Sequence, residues 1–332
     1  MKVIVCQEEP VGGEPKREVL VEYWKELLSQ IPEIDEVVVK EGFNGAKADE
    51  IIEDADILLG AWISPGLFTR ELFDRHPNLK FVSTSGHGFG EYDREAAKEK
   101  GITFVNTIYG DHTIAEYGMA MLMNICHHID VERANYESYF ELPKEEKPRR
   151  AFVATRQIEL YEKTIGIVGL GSIGFCMAQM AAGFGMKVLA YSRHKKEGSQ
   201  YDFIEQVSMD ELLERSDVIS INCPLTESTR GMISREVISK MKDGVILINT
   251  ARGAIIDEEA MIDALKSGKI YAAGLDVLAN EPIREREPIF DCKNAEITAH
   301  IAWAPGEARF RVVRVTTENV KNWLAGTPTS VI

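Results

Sequence analysis

Three residues whose side chains could share the work of a carbonyl reduction, Arg252, Glu281 and His300, each follow a short apolar run. Residues 245–249 read as a strand that runs into Thr250-Ala251-Arg252-Gly253. A strand predicted over 272–277 contains Asp276 and is followed by Glu281, and one over 296–298 runs into Ala299-His300. An imidazolium can give a proton to a carbonyl oxygen as hydride reaches the carbon. A carboxylate on the other ring nitrogen fixes the tautomer and favours the charged ring, the role open to Glu281. A planar guanidinium holds a carboxylate through paired hydrogen bonds, the role open to Arg252. A carboxylate beside a carbonyl defines a 2-oxo acid, and its reduction product is a 2-hydroxy acid.

Hydride needs a carrier, and residues 163–196 offer a place for one. Thr164-Ile165-Gly166-Ile167-Val168 reads as a buried parallel strand, Gly169-Leu170-Gly171-Ser172-Ile173-Gly174 follows at once, and a helix is predicted over 175–184 before a second strand at 187–191. This is the length and order of a dinucleotide-binding βαβ unit. Gly169 would make the tight turn, Gly171 would let the backbone approach a pyrophosphate, and Gly174 would let helix and strand pack closely, with helix N–H groups facing the phosphates. At the end of the second strand, where NAD enzymes carry an acidic residue for the ribose, stand Ser192, Arg193, His194, Lys195 and Lys196. Cations in that place favour NADP, with NAD as the second possibility.

At 332 residues the chain is long enough for two domains. Its 38 basic and 53 acidic residues give a net charge of -15, which argues against nucleic acid or an anionic membrane as main partner. The five cysteines (Cys6, Cys126, Cys176, Cys223, Cys292) are widely spaced, indicating neither a disulfide framework nor a zinc site and fitting a reducing cytoplasm. Residues 164–186 are uncharged and long enough for a membrane span, but six glycines break them into strand, turn and helix.

Strands are expected at 2–6, 37–39, 56–61, 79–84 and 102–106, alternating with helices over 15–30, 46–55, from 64–65 onward, and 92–100. Such alternation implies a parallel sheet covered on both faces. Residues 113–129 form a helix that is apolar nearly all round, expected to be buried between domains, between subunits or both. Residues 141–150, charged and with Pro143 and Pro148, read as a linker. Beyond the glycine turn come strands at 217–223, 245–249, 272–277 and 296–298, helices at 234–241 and 257–267, and a last amphipathic helix over 307–324. The fold class is α/β.

Several segments together resemble the D-isomer-specific 2-hydroxyacid dehydrogenase family. They are Gly86-His87-Gly88-Phe89, Ala115-Glu116, the glycine turn, Cys223-Pro224-Leu225-Thr226, Asn249-Thr250-Ala251-Arg252-Gly253, Leu275-Asp276-Val277 with Glu281-Pro282, and His300-Ile301-Ala302-Trp303. The resemblance implies two Rossmann-like parallel-sheet domains, one flavodoxin-like and one dinucleotide-binding, with a cleft between them. It implies a discontinuous substrate domain of residues 1–111 and 301–332, a dinucleotide domain of residues 112–300, and hinges near Asp111 and Ile301. It implies a catalytic set of Arg252, Glu281 and His300, with a substrate carboxylate also held by backbone N–H groups around His87 and Gly88. It places Asp276 on the nicotinamide carboxamide, and Ser172, Ile173, Cys223, Pro224, Thr229, Thr250 and Ala251 along the cofactor.

Within the family the chain is most similar to the glycerate dehydrogenase, hydroxypyruvate and glyoxylate reductase branch, through His300-Ile301-Ala302-Trp303, Glu307-Ala308-Arg309 and the Ser192-Arg193 end. Gly90, Glu91 and Ala299 depart from the common pattern. A D-lactate or larger-side-chain dehydrogenase is a nearer alternative, and a dinucleotide-sensing corepressor-like protein a remoter one. A homodimer through the 113–129 helix region is expected. Trp303 could pack the domain junction or line the substrate pocket. Cys223 reads as a small buried residue and not a nucleophile. His127 and His128, adjacent on a helix, would point about 100° apart and so make poor metal ligands.

Overall fold

Short runs of β-branched and aliphatic residues, such as Ile165 to Val168 and Val245 to Ile248, are buried on both faces and form the central strands. The computed structural model of the chain describes residues 1–10, 12–43, 47–61, 63, 66–88, 91–147 and 153–332. The helix start expected at 64–65 and the motif residues Phe89 and Gly90 lie outside them. The chain forms two units, Met1–Gly110 with Trp303–Ile332, and Asp111–Ala302.

The first unit runs β1 (Lys2–Cys6), α1 (Arg17–Leu28), β2 (Glu36–Lys40), α2 (Ala48–Ile52), β3 (Ile57–Leu59), α3 (Arg70–Arg75), β4 (Phe81–Ser83), α4 (Arg94–Glu99) and β5 (Thr103–Val105). Its sheet has the order β2-β1-β3-β4-β5, and every pairing is parallel. The five expected strands are present, β1 as expected, β2 longer and β3, β4 and β5 shorter, and the helices expected over 15–30, 46–55 and 92–100 are present and shorter.

The second unit opens with α5 (Asp111–His127) and α6 (Ile129–Glu141), then β6 (Thr164–Val168), α7 (Ser172–Gly183), β7 (Lys187–Tyr191), β8 (Ile204–Gln206), α8 (Met209–Arg215) and β9 (Val218–Ile221). It continues with α9 (Arg235–Lys240), β10 (Val245–Asn249), α10 (Glu258–Ser267), β11 (Ile270–Leu275) and β12 (Ala295–Ile297). Its seven parallel strands have the order β12-β11-β10-β9-β6-β7-β8, so the order reverses between β6 and β9. The chain then returns to the first unit as α11 (Gly306–Leu324), which packs on α1 and sets Phe310 edge-on to Tyr23 with ring centroids 5.5 Å apart.

α5 buries Ala115, Met119, Met121, Leu122, Ile125 and Cys126 in the second unit's own core against α7 and the sheet and leaves Ile114, Tyr117 and Met123 half-buried. Three features differ from expectation. One is α6, an unexpected helix that buries none of its residues and carries the exposed Ile129, Val131, Tyr136 and Phe140. His128, at φ 45°, separates the two helices, so it does not share a helix with His127. α8 and the edge strand β8 were also unexpected, although α8 has a full capping box of Ser208 and Glu211.

Among the described residues, no helix is long and apolar enough to cross a membrane, and the uncharged stretch 164–186 is β6, the glycine turn and α7.

Candidate active site

In an open parallel sheet, ligands bind outside the carboxyl ends of the strands where the order reverses. In the second unit Val168 pairs with Ile221, Ile221 with Asn249, Asn249 with Leu275, and Leu275 with Ile297. These are the last residues of five strands. Gly169, Asn222, Thr250, Asp276 and Thr298 therefore leave the sheet along one edge, and the functional candidates follow them.

The glycine turn occupies the reversal point. Gly169 has φ 101°, and a Cβ there would stand 2.7 Å from the Cys223 backbone nitrogen, so the loops after β6 and β9 touch. A Cβ on Gly174 would lie 2.1 Å from the Gly169 carbonyl oxygen. Gly171 has nothing within 4 Å of a Cβ position, leaving open space beside the start of α7. That helix begins at Ser172, not at 175 as expected, which puts the N–H groups of Ser172, Ile173 and Gly174 in its unpaired first turn. Ser172 is exposed, and its hydroxyl donates to Asp111 Oδ1 at 2.9 Å. A closed turn, an open glycine and a free helix start fit a dinucleotide pyrophosphate.

The remaining cofactor candidates surround this turn on the same edge. Thr229 ties the segment after β9 by donating to the Pro224 carbonyl at 2.7 Å and accepting from the Thr226 N–H at 2.7 Å. Burial pushes the Cys223 thiol up, which disfavours the thiolate a nucleophile needs. After β7, Ser192 donates to the His194 carbonyl at 2.8 Å, and Arg193, His194 and Lys195 are exposed. Thr250 is nearly buried and Ala251 half-buried.

Arg252 ends a turn that Asn249 staples. The Asn249 side chain accepts from the Ala251 N–H at 3.0 Å and donates to the Arg252 carbonyl at 3.0 Å. Arg252 is half-buried, with Nη1 donating to the Ala251 carbonyl at 2.7 Å. Gly253 then meets the loop after β11 so closely that a Cβ would stand 2.0 Å from the Leu278 carbonyl carbon. The Leu278 N–H donates to Glu281 Oε1 at 2.8 Å, and Glu281 Oε2 lies 2.7 Å from His300 Nδ1. The guanidinium turn, the carboxylate and the imidazole are thus one packed assembly, with about a third of the Glu281 and His300 side chains exposed (33% and 38%).

Asp276 is placed differently from expectation. It lies one residue beyond β11 and not within it, and its side chain is fully buried. Its Oδ1 accepts from the Thr298 hydroxyl at 2.7 Å and the Ile301 N–H at 2.9 Å, and Oδ2 from the Ala302 N–H at 2.9 Å. Its carbonyl takes the His300 N–H at 2.8 Å. His300 has φ 55°, a left-handed conformation that a side chain adopts at a cost of about 1–3 kcal/mol. Those four hydrogen bonds hold the flanking backbone in it. Sequence reading missed this brace, and also Asn249 and Thr298.

In the first unit, His87 and Gly88 follow β4 and are half-buried. His87 Nε2 accepts from the N–H groups of Tyr109 (3.2 Å) and Gly110 (2.9 Å), and the His87 carbonyl accepts from Asn106 Nδ2 at 2.8 Å. The ring therefore anchors its own loop to the segment after β5. Also in this unit, the Arg309 guanidinium lies over the Trp303 ring, 5.0 Å from its centroid, while Nε donates to the Ala304 carbonyl. Among the described residues no group of three or more His, Cys, Asp or Glu could hold a metal ion.

Comparison with known proteins agrees with this geometry. Residues 119–302 match the NAD binding domain of the D-isomer specific 2-hydroxyacid dehydrogenases. The chain is 38% identical to a hydroxypyruvate reductase from Blautia hydrogenotrophica, over 93% of this chain and 94% of that one. It is 33% identical to a glyoxylate reductase from Korarchaeum cryptofilum, over 96% and 91%. Among solved structures, an acyclic imino acid reductase in complex with NADPH and D-Arg superposes with a TM-score of 0.78 at 28% identity, covering the whole of both chains. The glycine turn at the reversal of the sheet, the Arg252, Glu281 and His300 assembly and these likenesses agree, and the chain belongs to the D-isomer-specific 2-hydroxyacid dehydrogenase family, oxidoreductases acting on a CH–OH group.

Proposed function

We propose that this chain reduces small 2-oxo acids of the hydroxypyruvate and glyoxylate kind to D-2-hydroxy acids, with NADPH preferred to NADH. The observation that carries the reading is the 2.7 Å contact of His300 Nδ1 with Glu281 on the sheet edge that also bears the Arg252 turn. A reduced nicotinamide dinucleotide bound at the glycine turn supplies hydride to the carbonyl carbon. Glu281 takes the Nδ1 proton of His300 in a hydrogen bond and so leaves Nε2 to deliver a proton to the carbonyl oxygen. Arg252 binds the substrate carboxylate, its guanidinium matching the two oxygens. Gly171 and the first N–H groups of α7 receive the pyrophosphate, and Asp276 holds His300 in place. The relatives named above support the substrate class.

NADPH preference rests on Ser192 and the exposed Arg193, His194 and Lys195 beyond β7, which supply positive charge where a 2′-phosphate would sit. Initial rates with glyoxylate, hydroxypyruvate and pyruvate, each with NADPH and NADH, test both parts. Rapid turnover of the first two with NADPH is expected, and turnover with NADH alone would refute the cofactor preference. Arg193→Ala should raise the KM for NADPH by about 10–100-fold and leave that for NADH near parental, because one charged contact to phosphate contributes about 1.5–3 kcal/mol.

We also propose a homodimer. The exposed apolar residues of α6 (Ile129, Val131, Tyr136 and Phe140) and the half-buried Ile114, Tyr117 and Met123 of α5 are its candidate surface. A mass by light scattering equal to one chain would contradict it.

A further inference from the structure

Arg252 needs a fixed backbone if its guanidinium is to meet a carboxylate in one geometry. Its turn follows β10 immediately, where the sheet no longer dictates the path of the chain. Asn249 is fully buried at the end of that strand, and its side chain bridges forward over the turn: Oδ1 receives the Ala251 N–H and Nδ2 donates to the Arg252 carbonyl, both at 3.0 Å. Asparagine suits this task because its amide mimics a backbone peptide in a tight turn. Its own backbone carbonyl accepts from the Asp276 N–H at 3.0 Å, which ties the same residue to the start of the loop carrying Glu281. One residue after the staple, Gly253 abuts the Leu278 carbonyl, and the Leu278 N–H holds the Glu281 carboxylate.

We propose that Asn249 is a positioning residue for substrate binding: its side-chain amide fixes the backbone of Ala251 and Arg252, and so aims the guanidinium that holds the substrate carboxylate. This rests on the assignment of Arg252 given above. Asn249 meets no ligand itself, being buried, and its effect passes through Arg252. Without its amide, the Ala251 N–H loses its partner and the Arg252 carbonyl keeps only the Ile255 N–H at 3.3 Å, so the turn samples other conformations.

A double-mutant cycle decides the matter, because residues that act through one another show non-additive effects. Glyoxylate kinetics, NADPH fluorescence titration and thermal unfolding are measured for the parent, Asn249→Ala, Arg252→Lys and the double variant. Asn249→Ala should raise the KM for glyoxylate about tenfold or more while changing kcat less than about threefold, and should leave the Kd for NADPH within about threefold. In the Arg252→Lys background the same change should add less than about threefold to KM. Equal rises in both backgrounds, or an equal loss of NADPH affinity, would overturn the proposal and leave the Arg252 clamp standing. A parental KM in Arg252→Lys would overturn the clamp itself. Should Asn249→Ala fail to fold, Asn249→Asp keeps Oδ1 for the Ala251 N–H and sets a carboxylate oxygen, in place of the donor, against the Arg252 carbonyl, with the same direction of effect on KM expected.

Discussion

His300→Ala is expected to lower kcat for hydroxypyruvate reduction by about 10²–10⁴-fold, the usual contribution of a positioned general acid. The ring is held for that role on both sides. Glu281 contacts Nδ1 at 2.7 Å, and the buried Asp276 carboxylate takes the Ile301 and Ala302 N–H groups that follow it. Because residue 300 has φ 55°, alanine would add backbone strain of its own. His300→Asn separates the two effects, since asparagine tolerates the left-handed region better. Both variants should lose turnover to a similar extent while retaining NADPH affinity. Near-parental turnover in either, with the thermal transition intact, would remove His300 from the chemistry.

Arg252→Lys is expected to raise the KM for glyoxylate by about 10–100-fold, with a smaller change in kcat. Lysine keeps the charge but cannot offer a planar pair of donors, and charge-assisted bonds of this kind contribute about 1.5–3 kcal/mol. Arg252 also donates through Nη1 to the Ala251 carbonyl, so its aim depends on the turn it closes. Steady-state kinetics with unchanged KM would show that the substrate carboxylate is held elsewhere.

The strands and the edge they share were legible because a buried parallel strand writes itself as an unbroken apolar run. Whatever follows such a run must emerge at the carboxyl edge. Arg252, Glu281 and His300 could therefore be grouped from sequence, and the structure adds the 2.7 Å pairing of the last two.

Features that depend on contacts distant in sequence were not legible. The buried Asp276 carboxylate is held by Thr298, Ile301 and Ala302, more than twenty positions later. The His87 ring is spent on Tyr109 and Gly110, more than twenty positions later. The sequence of α5, apolar nearly all round, did not show which of its residues α7 and the sheet of its own unit would cover. α6 escaped notice because its residues bury nothing, and burial is what gives a surface helix its pattern. The capping box before α8, Ser208 with Glu211, was present in the sequence and could have announced that helix.

The most direct measurement is the identity and configuration of the product formed from hydroxypyruvate and NADPH by the purified chain. One D-glycerate formed for each NADPH consumed is the predicted result. L-glycerate, a racemic product or no hydroxy acid would contradict the account.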